Sequence, residues 1–138
     1  GQLRAELAVQ RAALLRQGSG QKYQWVVCVD GQAAGWITLV IHNWDHGLAE
    51  LGYALSSDFQ HQGIMPIALR RFTEEIFLST RLERLEARCS VDNTASAKVL
   101  DRCGFVREGL LRGYFVLRER RVDNYLFALL RGDVLARL

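Results

Sequence analysis

The stretch FQHQGIMP, residues 59–66, holds the only proline and the only methionine of the chain and separates a strand-like run, AELGYAL, from a helix-like run, IALRRFTEEIF. Proline is favoured at the first helical position, where its missing N–H has no intrahelical partner, so Pro66 is predicted to fix a helix start. Gly63 lets the backbone approach a ligand without a Cβ in the way. The N–H groups of residues 61 to 65 can then converge at the positive end of the helix dipole. A phosphate or pyrophosphate is the natural guest of such a turn, and a plain strand-to-helix connection is the alternative that the turn alone leaves open. It is not a P-loop, which needs GxxxxGK[ST], nor a dinucleotide fingerprint, which needs GxGxxG.

A second candidate for chemistry precedes the turn. Glu50 stands in an otherwise apolar strand, on the same face as Gly52 and Ala54, whose small size leaves room for a ligand beside it. A desolvated carboxylate has a raised pKa and can accept a proton directly or through a water. A glutamate bonded into the sheet, or one that binds an amine without taking its proton, fits the same pattern. His42 and His46, in IHNWDHG, resemble a metal pair but have no third ligand nearby, so no metal is expected.

These residues need a scaffold. The chain has 138 residues, enough for one domain that buries roughly two-thirds of its unfolded surface, and a single domain over 1–138 is predicted. With 49% hydrophobic and 24% charged residues and a single proline, the composition is that of a folded globular protein. No apolar run approaches the ~18 residues of a membrane span, and the first twenty residues carry charges throughout instead of a signal-type block. A cytoplasmic location and no membrane partner are expected. Cys28, Cys89 and Cys103 show no metal-ligand spacing and read as reduced thiols. The net charge of +3 comes from interleaved residues, and RERR (Arg118 to Arg121) reads as a solvated hairpin tip, so no nucleic acid is expected.

Leu3, Leu7 and Leu14 recur at helical spacing before Gly18 and Gly20, which predicts a helix over 2–17. Tyr23, Trp25, Val27 and Val29 alternate up to Asp30-Gly31, a hairpin signal, and a second strand follows over 35–42. A third strand, about 48–56, leads into FQHQGIMP, after which a helix is predicted to end near Thr80. Leu85, Ala87, Cys89 and Val91 alternate as a strand, Asp92-Asn93-Thr94 caps a short helix that Cys103-Gly104 closes, and two strands over 105–116 and 122–130 finish the order. The order α-β-β-β-α-β-α-β-β implies an α/β (α+β) fold with a mixed central sheet covered by helices on both faces.

Taken together, Gln60-x-x-Gly63-x-Met65 after Ala49-Glu50-Leu51-Gly52-Tyr53, then Val91-Asp92-Asn93-Thr94-Ala95-Ser96 and Gly104-Phe105-Val106-Arg107-Glu108-Gly109, resemble the GNAT N-acetyltransferase superfamily, within it the RimJ/RimL-like subgroup. The resemblance spans roughly 2–132; Met65 stands where the family has glycine or alanine, a departure the subgroup commonly shows. It implies acetyl-CoA as cosubstrate. The pyrophosphate would be held by N–H groups around His61, Gln62, Gly63, Ile64 and Met65, the pantetheine would lie along Tyr53, Ala54 and Leu55, and Asn93 would contact the pantetheine or CoA backbone. A backbone N–H near Leu55 would polarise the thioester carbonyl.

The resemblance also implies a partner, a primary amine, and places Glu50 where several relatives have their base. The family's usual acid, a tyrosine, falls at Leu100; subgroup members use the serine matching Ser96, which as a helix-start serine can equally make only local hydrogen bonds. Tyr114 is a weaker alternative, and Trp44 and Asp45 fall in the acceptor-side loop. Family members begin with an extra strand and helix that this chain has no room for, so either a partner chain supplies the missing edge, as in a homodimer, or the acceptor site is unusually open. Two functions follow: an acetyl-CoA-dependent N-acetyltransferase working by direct transfer in a ternary complex, or a CoA-binding module without turnover.

Overall fold

The computed structural model describes residues 5–8, 15–17 and 20–138. Its elements are β1 (Ala5–Ala8), β2 (Leu15–Gln17), β3 (Gly20–Val29), β4 (Gln32–Asn43), β5 (Leu48–Leu55), a 3-10 turn at Ser57–Phe59, α1 (Ile64–Ser79), β6 (Arg84–Ser90), α2 (Thr94–Arg102), β7 (Val106–Leu117), β8 (Arg120–Leu130) and α3 (Arg131–Leu135). The strands form one sheet in the order β1-β3-β4-β5-β6-β8-β7, with β2 also paired to β3. Neighbours joined by hairpins are antiparallel, whereas β5 and β6, joined through α1, are parallel, as a strand-helix-strand crossover requires.

The helix expected over 2–17 is strand wherever it is described, since Ala5–Ala8 and Leu15–Gln17 pair antiparallel with β3. The rest of that segment lies outside the described residues. The outer edge of β3 offers a row of unpaired N–H and C=O groups, and satisfying them outweighs a weak local preference for helix. The five-residue α3 is too short to leave a periodic signal.

The mixed sheet is as expected, but the three helices among the described residues lie on one face. Along β6 the burial alternates, with Leu85, Ala87 and Cys89 buried and Arg84, Glu86 and Arg88 half-buried on the opposite side. The buried face continues through Val27, Ile37, Leu39, Ala49, Leu51, Phe127 and Leu129. Against it α1 packs Ile64, Met65, Ala68, Leu69, Phe72, Ile76 and Phe77, which recur at helical spacing. Trp25 meets Phe72 edge-on, with ring centroids 4.7 Å apart. The hairpin tips follow their sequences: Asp30-Gly31 and Arg118-Glu119 both adopt positive φ, the geometry of tight two-residue turns. All three cysteines are free thiols, Cys89 and Cys103 buried and Cys28 half-buried. Among the described residues no helix is long and apolar enough to cross a membrane.

One glycine sets how close β4 and β5 come. Gly35 pairs with Leu55, and a Cβ built on it would overlap the carbonyl oxygen of Ala54. Gly35→Ala is therefore expected to lower the melting temperature and to displace the end of β5; thermal unfolding followed by circular dichroism checks the first effect.

Candidate active site

The site begins where two strands part. β5 and β6 pair at only three positions, Leu48 with Arg84, Ala49 with Leu85 and Glu50 with Glu86. Beyond Glu86, β6 stays with β8, as Arg88 pairs with Leu126 and Ser90 with Asn124. β5 stays with β4 to Leu55. Alternate backbone groups of β5 past Glu50 are turned away from β4 and find no partner in β6, so the fork exposes a strip of peptide N–H and C=O groups.

On the helical side of this fork lies a groove of about 520 Å³, a size usual for small-molecule sites. Tyr53, Ala54 and Leu55 form one wall and the first turn of α1 another, while Asn93, Ser96, Lys98 and Arg102 line it from α2. At the α1 end Gly63 is the N-cap, with φ 74°, and no side chain caps the helix. Gly63, Ile64 and Met65, whose N–H groups have no intrahelical partner, line the groove. Pro66 is the third helical residue and not the first, because Gly63 sets the start; proline is tolerated there since the first-turn N–H groups have no intrahelical partner. Gln60 ties the loop to β5 by donating from Nε2 to the Leu55 carbonyl at 2.9 Å.

At the other end of α2, Asn93 is the N-cap, its Oδ1 accepting from the Ser96 N–H at 3.1 Å. The Ser96 hydroxyl is not spent on that cap. It shares a 2.6 Å hydrogen bond with the Tyr53 hydroxyl, which also lies 3.2 Å from the Ser96 carbonyl, so the pair bridges α2 and β5 at the groove wall. Burial pushes the Tyr53 phenol up to about 12, although the Ser96 bond pulls the other way. Burial likewise raises the thiols of Cys89 and Cys103, the latter to about 11. Leu100, at the family's tyrosine position, is fully buried in the core and presents nothing to the groove.

Eight of the nine residues expected to contact the cofactor line this groove, namely Tyr53, Ala54, Leu55, His61, Gly63, Ile64, Met65 and Asn93, with Ser96 beside them. Gln62 does not, since its Nε2 turns back to the Asp58 carbonyl at 3.1 Å. Sequence reasoning named Gln60 only as part of the motif and passed over Lys98 and Arg102, although these two sit one turn apart on the face of a helix whose cap it had placed.

Glu50 faces the opposite side of the sheet, at the crotch of the fork. It is no isolated carboxylate: Arg88 binds Oε1 through Nε at 2.8 Å and through its second nitrogen, and His42 Nε2 donates to Oε2 at 3.1 Å. The space over Gly52 is taken by the Thr38 hydroxyl, not left open for a ligand. Arg88 also stacks on Tyr114, 4.5 Å from the ring centroid. Next to this cluster Arg84 spans Glu86 (3.0 Å) and Glu108 (2.7 Å). Trp44 donates to Gln21 at 3.3 Å and lies under Arg81, so it packs against its own neighbours. Among the described residues no three metal-binding side chains come together.

A family model for the acetyltransferase (GNAT) domain matches residues 2–106, and the chain belongs to that family. The uncharacterized N-acetyltransferase p20 of Bacillus licheniformis is 30% identical over 117 residues, covering 85% of this chain and 66% of its own length. The ribosomal-protein-serine acetyltransferase of Escherichia coli is 38% identical over 80 residues, 58% of this chain and 45% of its own. The microcin C7 self-immunity acetyltransferase MccE, solved with acetyl-CoA and AMP, superposes with a TM-score of 0.74 at 27% identity, over 79% of this chain and 61% of its own. The chain thus spans less than two-thirds of these relatives.

Tyr53 gives the site a measurable signature. An unfolded tyrosine ionises near pH 10, whereas folded Tyr53 holds its proton to about 12. Its contribution to stability is complete below about pH 10 and is lost as pH rises from there toward 12. Absorbance titration of the folded protein should show a late tyrosine phase that disappears in Tyr53→Phe.

Proposed function

We propose that the chain is an acetyl-CoA-dependent N-acetyltransferase that transfers acetyl to a primary amine, a protein N-terminus or a small-molecule amine, directly within a ternary complex. The observation that carries this reading is the uncapped start of α1 opening into a groove that has no acidic residue in its lining and ends at the β5–β6 fork. Pyrophosphate would sit on the N–H groups of Gly63, Ile64 and Met65, and the pantetheine would pair with the free edge of Tyr53 to Leu55. The thioester would reach the fork, with the acceptor approaching from the Glu50 face.

The amine nitrogen attacks the thioester carbonyl, forming the C–N bond. A β5 backbone N–H near Leu55 stabilises the resulting oxyanion. Glu50 accepts the amine proton, directly or through water, and His42, more exposed than Glu50, provides the route to solvent. When the C–S bond breaks, the thiolate takes the Ser96 hydroxyl proton, and Ser96 recovers one from water while Tyr53, its 2.6 Å partner, holds the hydroxyl in place. Burial raises the phenol to about 12, so Tyr53 acts here as a hydrogen-bond donor and not as a strong acid.

Glu50, Glu86 and Glu108 on this face are each engaged by an arginine, which favours an acceptor with one amine over a polycation that needs unpaired carboxylates. This fits a RimJ/RimL-like enzyme acting on an N-terminal or small-molecule amine. Three free thiols fit a reducing, cytoplasmic setting. β7, the last strand of the sheet, exposes Val106, Leu110, Val116 and Leu117 and offers an edge on which a second copy could pair.

A CoA-binding module without turnover is the second reading, favoured by the core leucine at position 100. Calorimetric titration with acetyl-CoA followed by thiol release across an amine panel separates the two. The enzyme reading expects saturable binding and release, with Ser96→Ala lowering kcat by roughly 10²-fold while acetyl-CoA affinity changes little. Binding without release from any amine would favour the module, and absence of binding would end both.

A further inference from the structure

On the Glu50 face of the sheet one large apolar side chain lies open. Trp36 is 46% exposed, and among the described residues of β3, β4, β5 and β6 it is the one large hydrophobic side chain so exposed. Its face follows from register: Trp36 pairs with Ala54, Thr38 with Gly52 and Val40 with Glu50, so the alternation that buries Ile37 and Leu39 turns Trp36 to the side of Glu50. The other two tryptophans are engaged, Trp25 edge-on against Phe72 and Trp44 as a donor to Gln21. Among the described residues Trp36 has neither a ring contact nor a partner for its indole N–H.

A second aromatic ring faces it across the fork. Because β5 and β6 are parallel with Glu50 beside Glu86, Arg88 lies abreast of Gly52 and Ser90 abreast of Ala54 on the two sides of the opening. The Tyr114 ring lies over Arg88, 4.5 Å from the guanidinium, and is itself 46% exposed. It is thus carried above β6, two strands from β4. At a strand spacing of about 4.8 Å the two rings stand about 10 Å apart across the fork, and they are offset by about 7 Å along it. The floor between them is low: Gly52 has no side chain, those of Ala54 and Ser90 are short, and the Thr38 hydroxyl fills the space over Gly52. Glu50, with Arg88 and His42 on its carboxylate, closes one end.

A flat apolar body between two ring faces needs about 3.5 Å on each side, so this gap admits one. Trp36 stands four residues, about 13 Å, beyond Glu50 along the strands. With the amine directed at Glu50, the rings meet the part of the acceptor that trails behind the nitrogen.

We propose that Trp36 and Tyr114 are the two walls of the acceptor subsite and make it select a primary amine with an aromatic or large apolar group close to the nitrogen. This names a substrate class for the acetyltransferase reading given above and rests on it. Removing such a group from water is the favourable term, and rigid rings lose little freedom in gripping it. Trp36 lies outside the core, so its replacement leaves the packed face untouched.

The test is thiol release from acetyl-CoA by wild type, Trp36→Ala and Trp36→Phe with two matched pairs of acceptors. One pair is phenethylamine and ethylamine; the other is a short peptide with phenylalanine or with alanine at its N-terminus. Wild type is expected to show a kcat/KM roughly tenfold or more higher for the aromatic member of at least one pair. The pair that shows it tells a free amine from a polypeptide acceptor. Trp36→Ala should bring the ratio within about threefold, chiefly by raising KM for the aromatic member, whereas Trp36→Phe should keep most of it. Equal rates within both pairs, or a preference for the small members, would overturn the inference and leave the enzyme reading standing. So would a Trp36→Ala variant that keeps the wild-type ratio; a lowered melting temperature in that variant would make Trp36 a packing residue. Acetyl-CoA binding without turnover of any of the four would overturn the inference in favour of the module. Absence of acetyl-CoA binding would remove the acetyltransferase reading and this subsite with it.

Discussion

Three residue pairs hold β5 to β6, and nearly everything functional in the chain depends on there being only three. Strands that stayed parallel to their ends would satisfy their own backbone groups and leave a continuous sheet. Because β6 is drawn away along β8 while β5 continues along β4, the sheet opens at its centre, where both strands are otherwise fully supported by neighbours. Each side of the opening is a strand paired along its far edge, so the exposed donors and acceptors form a preformed row. The Arg88–Glu50 ion pair sits at the crotch and ties the diverging strands together at the last place they approach.

The same fork divides the molecule electrostatically. On the helical face the groove is lined by cations, hydroxyls and backbone donors. On the other face the charges are of both signs and matched, arginine against glutamate, with histidine and tyrosine at the margin. The two sides of one sheet, separated by the thickness of a strand, therefore present environments of different character. Gly35 and Gly52 keep the wall thin, the first by letting the β5 backbone come close and the second by making room for Thr38.

How much of this the sequence disclosed follows from the range of each interaction. Hairpins at Asp30-Gly31 and Arg118-Glu119, the amphipathic face of α1 and the Asn93 cap are local, and each was legible in a few neighbouring residues. The groove was legible almost as well, because FQHQGIMP and the strand before it are contiguous. What escaped was non-local. The partners of Glu50 lie 8 and 38 residues away, and Tyr53 finds Ser96 across 43 residues, so the sequence left a desolvated glutamate and one bonded into the sheet equally open, and Glu50 is paired. The leucines at 3, 7 and 14 satisfy a helical period, yet an open sheet edge, invisible to periodicity, takes the described parts of that segment as strands. Pro66 misled by two positions, since a glycine in the left-handed region had already started the helix.

The sulfur atoms bear on how acetyl transfer by such a chain would be followed. Cys89 and Cys103 are buried and hold their protons above the ordinary thiol range, and thiolate is the reactive form. A chromogenic disulfide added to report a newly freed small-molecule thiol would meet those two slowly in the folded state. Background colour from the protein would then come chiefly from Cys28, which is partly open to solvent, and its replacement by serine or alanine would leave the folded chain nearly silent toward such reagents.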